Sequence, residues 1–364
     1  MSGDSSHSEE PSYSSIVARL DEHAIEHHTL TLADGSLLLV SQRGARIYGP
    51  FRGASAGSEN WVPLAFTDAE AFSALIESGH WNIGGERMWI GPEIQYMIPD
   101  RADYWGSYLL PAAMDPGQHA LESDAEGARL TSRFTLDGYN LGSGTVDLEM
   151  SISVRPAAHP LRFTQAYTDG LNAVAFAGYT ERVALGQSAG PPLVSESWNL
   201  VQVRLGGQVI IPTIPGAEVT DYYEPSAGWV ESLPGAVIAR VTGDRRYKIG
   251  VKAPHTHGRV GYFRESAGGQ ASLLVRNFAN DPSSVYAEEP DFAHGVRGDS
   301  IHIYNDDGGL WGFGELEARG RTIVGETGRA VSADEFTSWW FFGPVEQMEL
   351  VSTQLLGASL RGAR

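Results

Sequence analysis

The sequence contains no cysteine among its 364 residues. Disulfide bonds, thiolate catalysis and cysteine-based zinc or iron–sulfur sites are therefore excluded. No run of about 18 apolar residues is present, so no segment is predicted to cross a membrane. The amino terminus, MSGDSSHSEEPSYSS, lacks the apolar core of a secretory signal. We therefore expect a cytoplasmic protein.

Basic residues are scarce. Lys and Arg together number 26 against 45 Asp and Glu, which gives a formal net charge of -19. Such a charge disfavours nucleic acid and anionic membrane surfaces as partners. The chain also lacks the glycine-rich phosphate loops, the serine-hydrolase elbow and the zinc-protease helix motif. Catalysis, if present, must use carboxylates, histidine, tyrosine, lysine or arginine.

Short runs of alternating apolar and polar residues recur between about residues 105 and 280, separated by clusters of turn residues. The 43 Gly and 19 Pro agree with a chain that needs many turns. No repeat of about 20–50 residues is visible, which disfavours propellers and solenoids. The pattern predicts a mainly β protein of the sandwich class, with residues 1–14 as a disordered tail and residues 15–364 as one domain.

A few helices and one early hairpin are also predicted. Residues 15–23 form a candidate short helix, and residues 344–356 carry apolar side chains at helical spacing. Thr67 and Glu70 are spaced as a capping box, which predicts a helix that Gly79 ends. Before it, the sequence Ala-Asp-Gly at residues 33–35 lies between two apolar runs and predicts a β-hairpin.

Residues 79–93, GHWNIGGERMWIGPE, concentrate more reactive side chains than any comparable window. Gly84 and Gly85 suit a backbone with positive φ, and residues 86–90 alternate charged and apolar side chains as in a strand with one solvent-exposed face. Tryptophan beside Arg and Glu is typical of sugar sites, because an indole stacks on a pyranose and charged groups bind its hydroxyls. The alternative is a packed strand with a salt-bridged rim.

Two carboxylates, Glu315 and Glu317, fall on the same face of a predicted strand because they are two residues apart. If this face is buried, the like charges raise the pKa of one carboxyl, which then becomes a base that works near neutral pH. The alternative is an exposed strand that bears two solvated acids.

Two further segments contain possible metal ligands. His255 and His257 would share one face of a strand, but the nearest acid, Glu265, lies eight residues further on. A polar loop is the alternative, and no metal site is predicted. The acidic segment YAEEPDFAHG, at residues 286–295, together with Asp281, is either a calcium site or a solvated loop.

The run GGERMWIGPE resembles the GG-x-[KR]-[LM]-W-x-[AG]-P-E signature of bacterial proteins related to galactose mutarotase, most of them uncharacterised. These proteins share the β-supersandwich of the aldose 1-epimerases. Three further segments look similar in kind and follow in the expected order: RGARI, SWNLVQVRLGG and GFGELEARG. The resemblance spans about residues 25–345 and implies a galactose mutarotase-like supersandwich with a few short helices.

The resemblance also implies roles for individual residues. In aldose 1-epimerases the general base is a Glu in a C-L-E-T-Q segment, which ELEAR resembles, so the role falls on Glu317, with Arg319 where the family has Gln. The family's acid is a His in an N-H-x-Y-F-N strand, whose counterpart here, SWNLVQV, has none. We therefore expect His80, which lies in HWNIGG near the position of the family's N-x-L-H-G-G segment, or His257 or His255, to act as the acid.

What the resemblance implies for function is an aldose 1-epimerase-like isomerase that acts by acid/base catalysis on a monosaccharide or small glycoside and needs no cofactor. The expected contacts to the sugar come from Arg87, Trp89, Glu93, Trp198 and Glu315. Three alternatives stay open: a non-catalytic sugar-binding protein, a sugar lyase or isomerase on the same scaffold, and a metal enzyme built on His255 and His257.

Overall fold

The computed structural model describes residues 10–360, apart from the side chain of Glu326. The helices in this part of the chain are α1 (Tyr13–Glu22), α2 (Ala69–Glu77), α3 (Glu93–Tyr96), α4 (Gln165–Thr168) and α5 (Val345–Leu356). Among residues 10–360, no helix is long and apolar enough to cross a membrane.

Most of the regular secondary structure is β-strand. The first ten strands are β1 (His27–Thr31), β2 (Leu37–Ser41), β3 (Arg46–Phe51), β4 (Glu86–Gly91), β5 (His119–Ser123), β6 (Ala128–Gly138), β7 (Gly144–Pro156), β8 (Ala175–Ala189), β9 (Glu196–Val203) and β10 (Gly207–Pro212). The others are β11 (Val219–Asp221), β12 (Val230–Leu233), β13 (Ala236–Val241), β14 (Tyr247–Lys252), β15 (Arg259–Ser266), β16 (Gln270–Phe278), β17 (Asp299–Asn305), β18 (Gly314–Arg319) and β19 (Val331–Pro344).

These strands form two large antiparallel sheets. Sheet A has the order β1-β2-β3-β4-β9-β18-β17-β14-β11, and sheet B has the order β12-β13-β10-β15-β16-β19-β8-β7-β6-β5. One apolar core takes side chains from both sheets, for example Met88 and Val201 from sheet A and Leu148 and Val183 from sheet B. The sheets therefore pack face to face, as in a sandwich. The predicted mainly β architecture with few short helices is confirmed.

A charged network also lies between the two sheets. Arg276 of β16 donates to Glu86 of β4 at 2.6 Å, and Tyr179 of β8 donates to the same carboxylate. Burial alone would raise the pKa of Glu86, but Arg276 and hydrogen bonds lower it. Burial and the charge of Glu86 raise the pKa of Glu181 well above its usual value. Asn199 of β9 donates to both carboxyls at 3.0 Å, so one ionised and one protonated acid share the site.

The start of the ordered chain differs from the expected tail over residues 1–14. Residues 1–9 lie outside the described part. Ser12 caps α1 through its side-chain oxygen, which accepts from the backbone N–H of Ser15 at 3.2 Å, and Glu10 pairs with Arg204 at 2.5 Å. Because Ile16 lies fully buried on this helix, α1 is held against the body and begins two residues earlier than predicted. One domain from residue 15 onward stays a prediction.

The other predicted local elements are largely correct. The hairpin β1–β2 turns at Gly35, whose φ is 87°, and α5 covers the predicted carboxyl-terminal helix. The predicted capping box at Thr67 is wrong by one residue: the Asp68 carboxylate accepts from the N–H of Ala71 at 2.8 Å. Thr67 instead ends a 3-10 turn and donates to the carbonyl of Leu64.

Candidate functional site

The face of sheet A that points away from sheet B carries a cavity of about 460 Å³, within the usual size range of small-molecule sites. Its aromatic lining comprises Trp81, Trp89, Trp105, Tyr108, Trp198, Tyr223, Tyr304 and Phe313. Its charged lining comprises Arg87, Glu93, Arg246, Lys248, Asp306, Asp307, Glu315 and Glu317.

Strand β4 reaches this cavity through the glycine pair that precedes it. Gly84 and Gly85 have φ values of 77° and 79°, and an added Cβ at either position would come within 2.7 Å of the backbone of a neighbouring segment. In the strand that follows, Glu86 points toward sheet B and Arg87 points into the cavity. The expected solvent-exposed face is wrong, because all six residues of β4 are buried.

Glu317 lies at the floor of the cavity and is 1 % exposed. Trp198 donates its indole N–H to a Glu317 carboxylate oxygen at 2.9 Å, and the same oxygen lies 3.3 Å from the Lys248 ammonium. Burial raises the pKa of Glu317; Glu315 on the same strand face adds to this effect, and Lys248 opposes it. The alternative of an exposed pair of acids is therefore wrong, and the carboxyl is oriented and adjusted as a general base requires.

Lys248 of β14 forms ion pairs with two carboxylates that line the cavity. Its ammonium lies 3.2 Å from Glu93 and 3.3 Å from Glu317, and it sits 4.6 Å from the centre of the Trp198 ring. Burial lowers the pKa of Lys248, but the two carboxylates outweigh it and raise the pKa above its usual value. The side chain is therefore charged at neutral pH and carries protons directly beside Glu317.

Arg87 forms a second ion pair on the cavity wall. It lies 2.8 Å from Glu315, which also accepts a hydrogen bond from Gln202 at 3.0 Å. The guanidinium lies 4.0 Å from the centre of the Trp89 ring, so its orientation is fixed on one side by charge and on the other by an aromatic face. Such a fixed donor suits the recognition of hydroxyl groups.

Glu93 enters the cavity from the first turn of α3. Its carboxylate accepts from the Tyr223 hydroxyl at 3.3 Å in addition to its pair with Lys248. The backbone N–H of Glu93 donates to Glu288 at 2.6 Å, and Glu288 also pairs with Arg319 at 2.7 Å. The structure thus brings together five expected residues at one cavity together with Glu317: Arg87, Trp89, Glu93, Trp198 and Glu315.

Two of the expected stacking rings are already covered. Trp198 has Lys248 and Arg319 over its ring, the latter at 4.0 Å, and Trp89 has Arg87 over its ring. Trp105, which is 43 % exposed, is a more accessible ring at the cavity, although the Arg246 guanidinium lies 4.3 Å from its centre.

The expected acid histidines lie elsewhere. His80 precedes β4 and stacks on Trp311 at 4.7 Å and on Trp81 at 6.1 Å, while its Nδ1 accepts from the N–H of Asn82. Neither it nor His257, which is exposed, lines the cavity. Burial lowers the pKa of His80.

The expected strand at residues 255–257 is instead a 3-10 turn, Ala253–His255, followed by a loop, because Pro254 occupies the first turn. The polar-loop interpretation is correct. His255 and His257 do not share a strand face. Across residues 10–360, no group of three or more His, Asp or Glu side chains is arranged to hold a metal ion.

His302 was not among the sequence candidates, although it lies opposite Glu317 in the pairing of β17 with β18. It is fully buried, packs its ring against Tyr222 at 4.8 Å and does not line the cavity. Burial lowers its pKa well below the usual value, and the charges of Arg319 and Lys248 lower it further. It is therefore a neutral group beside Glu317, on the same face of sheet A but covered by neighbouring side chains.

In the acidic segment at residues 286–295, residues 286–290 are buried, and residues 291–295 are partly or fully exposed as in the solvated-loop interpretation. Glu288 and Glu289 are 1 % and 2 % exposed, and Glu289 pairs with Arg101 at 2.6 Å and Arg297 at 2.5 Å. Arg101, Arg297 and Arg319 pair with these two acids, so this first half of the loop packs beside the cavity instead of facing water.

The most important residue that sequence reasoning missed is Lys248. A signal was present, since YKIGVK places one lysine between apolar residues in the middle of a predicted strand. A lysine in a buried strand needs an acidic partner, and that requirement pointed toward the carboxylates.

Neither the family models nor the curated proteins contain a match to this chain. Among solved structures, Slr1438 from Synechocystis sp. PCC 6803 is similar at 11% identity, with a TM-score of 0.47, over 88% of this chain and 96% of that one. A GalM/aldose epimerase homologue from C. elegans is similar at 8% identity, with a TM-score of 0.41, over 88% and 99%. A putative mutarotase, YeaD, from Salmonella typhimurium is similar at 11% identity, with a TM-score of 0.43, over 88% and 91%.

Proposed function

We propose that this chain is a carbohydrate-active protein of the aldose 1-epimerase type, in which Glu317 and Lys248 move protons at the anomeric centre of a bound sugar. The observation that carries the proposal is their contact of 3.3 Å at the floor of one cavity. One group is a carboxyl whose pKa is raised, and the other is an ammonium, so an acceptor and a donor of protons lie side by side.

The reaction balances with these two groups alone. Glu317 takes the proton from the anomeric hydroxyl while the bond between the anomeric carbon and the ring oxygen breaks and a carbonyl forms. Lys248 gives a proton to the ring oxygen, which is far more basic than an amine as its bond breaks. After rotation of the open aldehyde, the reverse steps close the ring as the other anomer and restore both groups.

The rest of the cavity fits a sugar. Arg87, Glu315 and Glu93 supply charged partners for hydroxyls, and Trp105 and Tyr223 supply aromatic faces for the apolar side of a ring. The acid that the resemblance assigns to a histidine is assigned here to Lys248, because His80 and His257 do not line the cavity.

The experiment begins with a thermal-shift panel of monosaccharides, uronic acids and glycosides. Each sugar that stabilises the protein is then tested for anomer exchange by saturation-transfer NMR. We expect Glu317→Gln to keep binding and folding but to lose exchange by about 10²–10⁴-fold, the usual contribution of a general base. Glu335→Gln, an exposed Glu on β19 that pairs with Arg182, is the matched control.

Exchange at the normal rate in Glu317→Gln would refute the assignment. A second function, a non-catalytic sugar-binding protein, is favoured by one observation: within residues 10–360, no histidine lines the cavity. It predicts that sugars stabilise the protein while the wild type leaves the exchange rate unchanged. An ultraviolet-absorbing unsaturated product from a uronic acid would instead identify a lyase.

A further inference from the structure

A second cavity, of about 640 Å³, lies beside the first. Its walls are mostly apolar and include Trp61, Val62, Leu64 and Trp311. Leu64 and Trp311 are 51 % and 48 % exposed. Large apolar side chains displayed together on a surface are typical of a binding site.

A row of stacked rings joins the two cavities. Trp81, in the wall of the first cavity, stacks on His80 with centroids 6.1 Å apart and planes inclined by 17°. His80 stacks on Trp311 at 4.7 Å and 28°, and Trp311 stacks on Trp61 at 6.4 Å and 23°. Trp311 and Trp61 line the second cavity, so nearly parallel aromatic rings continue from one cavity to the other.

The loop at residues 306–312 contributes side chains to both cavities. The Asp306 carboxylate accepts from the backbone N–H groups of Gly308 at 3.0 Å, Leu310 at 3.0 Å and Gly312 at 2.8 Å. Leu310 then lines the first cavity and Trp311 lines the second. The buried carboxylate therefore fixes the positions of both side chains.

Trp311 is held in a backbone conformation that bulky residues rarely adopt, with φ at 85°. Such strain persists only where surrounding contacts impose it, and it is concentrated at functional sites. A strained tryptophan that leaves about half of its surface exposed is not explained by core packing. It is explained if the exposed ring contacts a ligand.

We propose that the second cavity is a subsite for the second pyranose of a reducing disaccharide or longer oligosaccharide, whose reducing ring occupies the first cavity. This inference rests on the proposed function of the first cavity. The apolar face of the second ring packs against Leu64 and the exposed edge of Trp311, and Arg204 and Glu10 provide hydrogen-bonding partners for its hydroxyls. The row of rings favours a ligand that continues from the first cavity over an unrelated partner.

The test compares affinities by calorimetry for a monosaccharide and for disaccharides that carry it at the reducing end, with glucose, maltose and cellobiose as the first set. We expect the wild type to bind one disaccharide about two- to tenfold more tightly than the monosaccharide, the gain expected for one aromatic contact. Trp311→Ala and Trp311→Gly should cancel this gain and leave the monosaccharide affinity unchanged. The glycine variant also suits the positive φ, which protects the test against misfolding.

Phe163→Ala, which removes an aromatic ring that is 88 % exposed and lies outside both cavities, is the control and should keep the gain. Equal affinity of the wild type for monosaccharide and disaccharides would overturn the subsite and leave the proposed function standing. Trp311 variants that weaken both ligands equally would also overturn it. If no sugar binds at all, both proposals fail.

Discussion

Lys248 offers the sharpest test of how the cavity works, because two substitutions separate its charge from its proton. Lys248→Met removes the charge and keeps a long unbranched side chain. Lys248→Arg keeps a positive charge beside Glu93 and Glu317, but a guanidinium does not release its proton under these conditions. Lys248→Met therefore removes both the positive charge beside Glu317 and the proposed proton donor. Lys248→Arg removes only the proposed proton donor.

The effect of Lys248→Met on the pKa of Glu317 follows from the contact between the two side chains. Their charged atoms lie 3.3 Å apart in a site where both side chains are at least 98 % buried. Opposite charges at about 4 Å interact by about 4 kcal/mol at an effective dielectric constant of 20, and one pKa unit corresponds to about 1.4 kcal/mol. Loss of the ammonium removes this interaction and therefore raises the pKa of Glu317 further, although Arg319 still favours the ionised form.

The direction in which the pH–rate profile moves follows from the protonation state of Glu317 that is proposed to be active. As the proposed base, Glu317 is active only when ionised, so we expect exchange to fall as the pH drops through its pKa. A raised pKa moves this acid limb of the pH–rate profile to higher pH. In Lys248→Met we expect the limb to move to higher pH and the limiting rate to fall by about 10²–10⁴-fold.

The assay is the pH dependence of anomer exchange by NMR, with thermal unfolding as a check that each variant is folded. Lys248→Arg should keep the limb near its wild-type position and still lose rate. A wild-type rate in Lys248→Arg would refute Lys248 as the acid. An unmoved limb in Lys248→Met would refute the electrostatic coupling to Glu317.

Two further predictions concern stability. Because the pKa of Glu181 is raised in the folded state, its stabilising contribution is present below the unfolded pKa of about 4.3 and is lost as the pH rises. Glu181→Gln should therefore be more stable than the wild type by about 1–2 kcal/mol at pH 8 in urea unfolding, and an unchanged difference between pH 5 and pH 8 would contradict this. Asp306→Asn should lose about 1–3 kcal/mol because an amide oxygen replaces a charged acceptor of three N–H groups. Asp307→Asn, whose carboxylate accepts only from Gly309 among the described residues, is the control and should change little.

Local patterns were sufficient to predict much of the fold and part of the cavity. Alternation with a period of two placed Arg87 on β4 and Glu315 and Glu317 on one face of β18, because side-chain direction in a strand depends only on the neighbouring residues. The burial of β4 on both faces was not predictable in the same way. It depends on packing by distant parts of the chain, which no local pattern describes.

The acid was sought among histidines because the resemblance to the aldose 1-epimerases implies a histidine in that role. Lys248 reaches Glu317 because β14 pairs with β17 and β17 pairs with β18, so the contact depends on the order of strands in sheet A. Strand order is set by long-range pairing. Without it, the sequence around Lys248 indicated that the lysine needs an acidic partner but not that the partners are Glu93 and Glu317.

The alternation of Glu86 and Arg87 on β4 has a consequence for how the chain folds. The carboxylate faces Arg276 between the sheets, and the guanidinium faces Glu315 in the cavity. A slip of β4 by one residue would exchange these directions and set each charge against a group of its own sign. Like-charge repulsion would thus destabilise forms of sheet A in which β4 pairs out of register. The charged side chains of β4 would therefore also select the correct register of this strand during folding.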